Sequence, residues 1–141
     1  MVNKQLIFWP VAVMVVLVFL VWCRLYFTRV REMRARRISP QALATRATAR
    51  RQLVDSLPVV DNFSNLFELP VLFYIAAILL YASDRVDGLY LALAWTFVAL
   101  RYVHSAIHVT YNRVMHRFPV YVLGAIPLWV MWARLVAQWL A

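Results

Sequence analysis

The first long stretch of the chain, Gln5 to Cys23, contains no charged residue. A helix needs about 20 largely apolar residues to cross the hydrocarbon core of a bilayer, and this run supplies them. Its valines would suit a strand, but the run is too long for one and lacks the polar alternation of a half-buried strand. The pattern recurs along the chain. Leu69 to Ser83 is uncharged and reaches a full span once the polar turn back to Asn65 is included. Leu89 to Tyr111 is interrupted only by Arg101, and Phe118 to Ala141 only by Arg134. Trp9, Trp22, Trp129, Trp132 and Trp139 fall mostly near the ends of these runs, where interfacial aromatics concentrate.

Composition excludes a soluble domain. The chain is 65% hydrophobic, with 15% charged residues and two glycines, whereas soluble domains carry more of both charge and glycine. Cys23 is the single cysteine, so no intrachain disulfide forms. The expected fold is therefore all-α: a polytopic membrane protein whose four transmembrane helices form a left-handed four-helix bundle. It is a single domain over residues 1–141, with spans at about 5–27, 62–83, 88–111 and 117–139 and a basic loop at about 28–60.

Charge sets the orientation. The net charge is +9, and it is clustered. Only Lys4 precedes the first run, while Arg24, Arg29, Arg31, Arg34, Arg36 and Arg37 follow it. A cleavable signal peptide carries its charge on the other side and ends in small residues, so the run is read as a span. Loop one also holds Arg46, Arg50 and Arg51; loop three adds Arg113 and Arg117; loop two, Asp84 to Gly88, has one arginine against two aspartates. The positive-inside rule then places loops one and three in the cytoplasm and both termini on the opposite side. Compact loops without targeting signals fit a bacterial inner membrane. The basic loop is expected to hold topology and attract anionic lipid headgroups. Nucleic acid is not an expected partner, because residues 29 to 51 interleave no aromatics with the arginines. Residues 41 to 57, rich in Ala, Leu, Arg and Gln, are expected to be helical, which leaves open an extension of the second span beyond the membrane.

Ionisable groups inside a span are costly and face the bundle interior or a polar cavity. Here they form stripes. Asp61, Asn65 and Glu68 are spaced by four and three, which puts them on one face of a helix. By the same arithmetic Arg101, His104 or Ser105, His108 and Asn112 share a face of the third span, and Arg117 and Tyr121 stand one turn apart at the start of the fourth. All three stripes converge on the cytoplasmic half, with Arg101 deepest, about 15 Å below the loop-three end. Interhelical ion pairs such as Arg101 with Glu68 would merely fix packing. An excess of cation over anion instead describes an anion-accepting pocket. His104 and His108, four apart, have the spacing of a metal pair, but His116 is the only other histidine, and no metal is expected.

These stripes resemble the MAPEG family, the membrane-associated proteins in eicosanoid and glutathione metabolism. The second span carries Asn65-x-x-Glu68 followed by Pro70; the third carries Arg101-Tyr102-x-His104 and then His108; the fourth opens Arg117-Phe118-Pro119-Val120-Tyr121. The specific match covers about Asp61 to Gly124. The resemblance implies a homotrimer that binds glutathione between subunits at the cytoplasmic side, with a lipophilic second substrate entering from the bilayer. It implies Arg117 and Tyr121 as the pair that activates the thiol. Asn65, Glu68, Arg101, His104, His108 and Arg113 are then the residues around glutathione. Carboxylates suit arginine forks, the glutathione ammonium suits Glu68, and a nearby cation lowers a thiol's pKa.

Two functions follow from the resemblance. One is a glutathione-dependent transferase or peroxidase acting on hydrophobic electrophiles. The other is a lipid-binding or scaffold protein that keeps the fold without turnover, as one family member does. A binding protein has no need of thiolate activation, so Arg117 and Tyr121 favour the enzyme. A small transporter is disfavoured, since no inverted repeat or glycine-broken helix is visible.

Overall fold

The computed structural model describes residues 2–140. They build helices and connecting turns, with four segments long and apolar enough to cross a membrane: Lys4–Arg36, Leu57–Ala82, Gly88–Val109 and Val114–Leu140. The chain is an all-α polytopic membrane protein.

A single 3-10 turn, Lys4–Ile7, leads into α1, Phe8–Arg36. The turn is capped by the Asn3 side chain, which accepts from the Gln5 N–H at 3.0 Å. Helix α1 runs well past the hydrophobic stretch. Good helix formers such as Arg, Glu and Met continue it until Arg37 takes a left-handed conformation, φ 53°. There the Ile38 N–H donates back to the Met33 carbonyl at 3.0 Å, which closes the helix end. The basic connection is thus shorter than the sequence suggests. It contains a 3-10 turn, Pro40–Leu43, and the short helix α2, Arg46–Gln52, capped by Thr45. Helix α2 does not merge with the second span; Leu53–Ser56 separates them.

The second span is two helices: α3, Leu57–Asn65, and α4, Leu69–Ala82. Pro70 explains the interruption. A proline has no N–H for the residue 66 carbonyl and its ring clashes there, and it disfavours helical backbone at the residue before it. Leu66 to Glu68 close the break as a turn, with the Phe67 N–H donating to the Ser64 carbonyl at 2.9 Å. The spacing of Asp61, Asn65 and Glu68 implied one continuous helical face. The break divides it, leaving Asp61 and Asn65 on α3 and Glu68 in the turn before α4.

Helices α5, Gly88–Val109, and α6, Val114–Leu140, form the most extensive pair. They approach closely at Gly124, where a Cβ would stand 3.4 Å from the Leu100 Cβ. The apolar core runs from the loop-two end of the bundle, and Val21, Val59 and Leu66 extend it toward the basic end. It is built from Met14 and Leu17 of α1, Phe73, Ala76 and Leu80 of α4, Tyr90, Ala94 and Phe97 of α5, and Leu128, Met131 and Leu135 of α6. The Phe73 and Phe97 rings lie 4.9 Å apart between centroids. The outer surface exposes Val15, Phe19, Leu20, Ile78, Trp129 and Val130, an apolar face that water would not tolerate at this extent but lipid does.

Both ends of the bundle are pinned by charge. At loop two, Asp87 caps α5 by accepting from the Tyr90 N–H at 3.0 Å and receives both Nη atoms of Arg134. The arginine that interrupts the fourth apolar run therefore stands at the loop-two end, over the Tyr90 ring. At the basic end, the Arg24 guanidinium donates to the Val109 carbonyl at 2.9 Å, placing a cation on the negative end of α5.

Candidate functional site

One turn beyond Phe97 the α5 face that packs inward changes from apolar to polar. Arg101, His104, Ser105 and His108 are all buried, as their 3- and 4-residue spacing requires of one helical face. Arg101 is 1% exposed. Its guanidinium lies 4.8 Å from the Tyr121 ring centroid and 5.2 Å from that of Phe97. The aromatic faces supply cation–π attraction, yet all three guanidinium nitrogens lack a hydrogen-bond partner among the described residues. No ion pair joins Arg101 to Glu68 among those residues, so the packing bridge open to the sequence does not form in the chain.

Tyr121 is the hub of the cluster. Its ring also meets that of His104 at 5.6 Å, and His104 meets His108 at 5.6 Å. One turn before Tyr121, the half-buried Arg117 donates from Nη1 to the Asn112 side-chain oxygen at 2.7 Å. Asn112 lies not on the α5 face its spacing implied but in the connection that follows, in a left-handed conformation, φ 47°, which asparagine tolerates better than most residues. Its N–H closes the turn onto the Ile107 carbonyl at 2.8 Å. The short third connection thereby holds the α6 guanidinium beside the end of α5.

The fold therefore brings together Arg101, His104, His108 and Tyr121, with Arg117 one turn along. Three others stand nearer the surface. Asn65 is half-buried, Glu68 is exposed at the helix break, and Arg113 is exposed in the connection. The buried polar side chain of α3 is instead Asn62, which accepts from the Ser105 hydroxyl at 3.2 Å. Asn62 stands outside the Asp61, Asn65 and Glu68 stripe and so escapes the spacing argument. The available signal was its position between Val59 and Leu66, buried positions on the same face of the segment. A polar residue three and four away from buried apolar ones lies on the inward face. Asp61 is engaged elsewhere, in an ion pair with Arg50 of α2.

The unpartnered buried nitrogens of this region are Arg101 Nε, Nη1 and Nη2, Asn62 Nδ2 and His108 Nδ1. They are mostly donors, and buried donors without acceptors are costly. A ligand rich in carboxylate oxygens satisfies them, so the donor set fits a molecule such as glutathione. Among the described residues no three His, Cys, Asp or Glu side chains converge.

The geometry defines a four-span helical membrane protein with a cationic, aromatic-lined interior at its basic end. The model of the MAPEG family matches residues 7–137, nearly the whole chain, and the chain belongs to that family. No curated protein and no solved structure matches it.

Proposed function

We propose that the protein binds glutathione at its cytoplasmic end and activates the thiol for attack on a lipophilic electrophile drawn from the bilayer. The observation that carries this reading is the buried Arg101 guanidinium, held over Tyr121 with its three nitrogens unpartnered among the described residues. A lone cation in a low-dielectric interior is expensive, and an anionic ligand offsets that cost. Glutathione brings two carboxylates for the Arg101, Asn62 and Ser105 face. The exposed Glu68 takes its ammonium, and Asn65 and Arg113 line the approach, in a homotrimer where subunits share the polar surface. The arginine-rich connections support a cytoplasmic position for this end, with both termini on the opposite side.

Chemistry falls to Arg117 and Tyr121. A free thiol of pKa about 8.5 is only a few per cent ionised at neutral pH. A cation beside the sulfur stabilises the thiolate, and the proton leaves to water. A drop of two pKa units corresponds to about 2.7 kcal/mol. Asn112 occupies one end of the Arg117 fork and fixes its direction, leaving the rest of the fork for the sulfur. With an aryl halide, the sulfur lone pair forms the S–C bond and halide departs with the bonding pair.

The test is glutathione binding by detergent-purified protein, with thiolate absorbance and aryl-halide turnover recorded together. Wild type should show both. Arg117→Ala should lose the thiolate signal and slow turnover with the fold intact; Arg117→Lys should recover part, because a point charge lacks the fork. Tyr121→Phe should have a smaller effect. If wild type binds glutathione without thiolate or turnover, the non-catalytic lipid-binding member of this fold is the correct reading.

A further inference from the structure

A second cationic recess lies on the other side of α3. It is a cleft of about 600 Å³ between α1, the basic connection and α3. None of Arg101, His104, His108, Arg117 or Tyr121 lines it, so a ligand held there is independent of the thiol site. Its floor is apolar, made by Leu25, Leu43, Val60 and Phe63, and Arg29, Arg46 and Arg50 border it. The volume lies within the range of small-molecule sites.

We propose that this cleft binds the phosphate headgroup of an anionic membrane lipid. The charge balance favours an anion. Arg50 is paired with Asp61, which leaves Arg29 and Arg46 in excess among the lining residues. Arg29 Nε is buried and has no hydrogen-bond partner among the described residues. An Arg fork matches phosphate oxygens.

The surroundings favour a lipid over a free phosphoryl anion. Leu25 and Arg29 also line a second cleft, completed by Trp22, Tyr26, Val30 and Met33. The two recesses therefore adjoin along one turn of α1. Trp22 and Tyr26 are exposed and stacked at 6.4 Å, as aromatics are at a membrane–water boundary. Arg24, one residue before Leu25, caps the end of α5, so the cleft opens at the end of the spans. The headgroup sits among the arginines, and the glycerol and upper acyl chains follow Leu25 and Tyr26 down to the lipid-facing surface.

The experiment is native mass spectrometry of the full chain from mixed micelles holding phosphatidylglycerol and phosphatidylcholine in equal amounts. Wild type should retain phosphatidylglycerol preferentially, and millimolar inorganic phosphate should not displace it. Arg29→Gln and Arg46→Gln should each lower retention roughly fivefold, the effect of one basic residue near an anionic surface. Arg46 is exposed on the short helix α2, so that variant remains informative if Arg29→Gln misfolds. Arg34→Gln removes the same charge from an exposed position of α1 outside both clefts, and it should change nothing. Equal retention of phosphatidylcholine, or an equal loss in Arg34→Gln, would overturn the site in favour of diffuse charge attraction. Displacement by inorganic phosphate would overturn the lipid assignment.

Discussion

At the scale of single residues, Arg101 separates a structural cation from a binding one. Buried and without hydrogen-bond partners among the described residues, it costs stability where it stands. Replacing a buried ion pair by packed apolar side chains is often neutral or stabilising by about 1–4 kcal/mol, and an unpaired buried charge has no ionic partner to lose. Arg101→Met should therefore unfold no earlier than wild type in a thermal scan, and the stabilisation that wild type gains from added glutathione should disappear. The lost contact, a hydrogen-bonded charge, corresponds to about 1.5–3 kcal/mol of binding. If Arg101→Met unfolds markedly earlier and glutathione still stabilises it, the guanidinium serves packing alone.

At the scale of elements, two clasps hold helices in place. The first joins α5 to α6. The Arg134 guanidinium holds the Asp87 carboxyl below its ordinary value of 3.8, helped by the Tyr90 N–H and opposed by slight desolvation. A carboxylate with a lowered folded pKa contributes stability that is full above its unfolded pKa. That contribution is lost as pH falls below about 3.8 and through the folded value. Asp87 is 42% exposed, so water screens the pair and its contribution is about 0.5–1 kcal/mol. Asp87→Asn should remove the acid-range loss while keeping the cap. Asp87→Ala should cost about 1 kcal/mol more through the unsatisfied helix start, read from unfolding curves in detergent between neutral and acidic pH. The second clasp is Glu32, buried on the extension of α1 beyond its apolar run. Its carboxylate accepts the Asp55 and Ser56 N–H groups at 3.0 Å each and pairs with Arg36 at 3.1 Å. It folds the connection back and fixes where α3 begins. Glu32→Ala leaves two donors without acceptors, at about 1–3 kcal/mol each. Trypsin should then cut sooner at Arg46, Arg50 and Arg51, with the helical signal of the spans unchanged. Unaltered cutting would show that the connection is held by other contacts.

At the scale of the molecule, the arginine asymmetry predicts that reporters fused at Ala141 and near Ala42 sit on opposite sides of the membrane. Finding the carboxyl terminus in the cytoplasm would sink the orientation, and with it the placement of the thiol site. Assembly has its own measurement. Glu68 and Arg113 are exposed and Asn65 is half-buried in the chain, and the proposed glutathione site has neighbouring subunits share that polar surface. Crosslinking in mild detergent should give a trimer, and a monomer that binds glutathione with full affinity would count against shared sites.

The four spans were legible in the amino-acid sequence because the length of an apolar run is a one-dimensional property. The bilayer sets that length, and unpaired backbone in hydrocarbon leaves the helix as the solution for each run. The inward face of α5 was legible for a similar reason: Arg101, His104, Ser105 and His108 are brought together by helical period alone. Contacts between helices carry no such local signal. They depend on how each helix is rotated about its axis and how far it slides along its neighbour. Those two quantities are set by core packing, at places such as Gly124 against Leu100 and Phe73 against Phe97. So Arg101 finding the Tyr121 ring, Arg134 finding Asp87 and Glu32 finding the start of α3 were decided by the tertiary structure. The break at Pro70 shows both levels at once. The proline announced a local disturbance, but only the folded chain settled that Glu68 would lie exposed and Asn62 would take the buried place beside Ser105. Breaking the helix ended the period that had aligned Glu68 with Asn65.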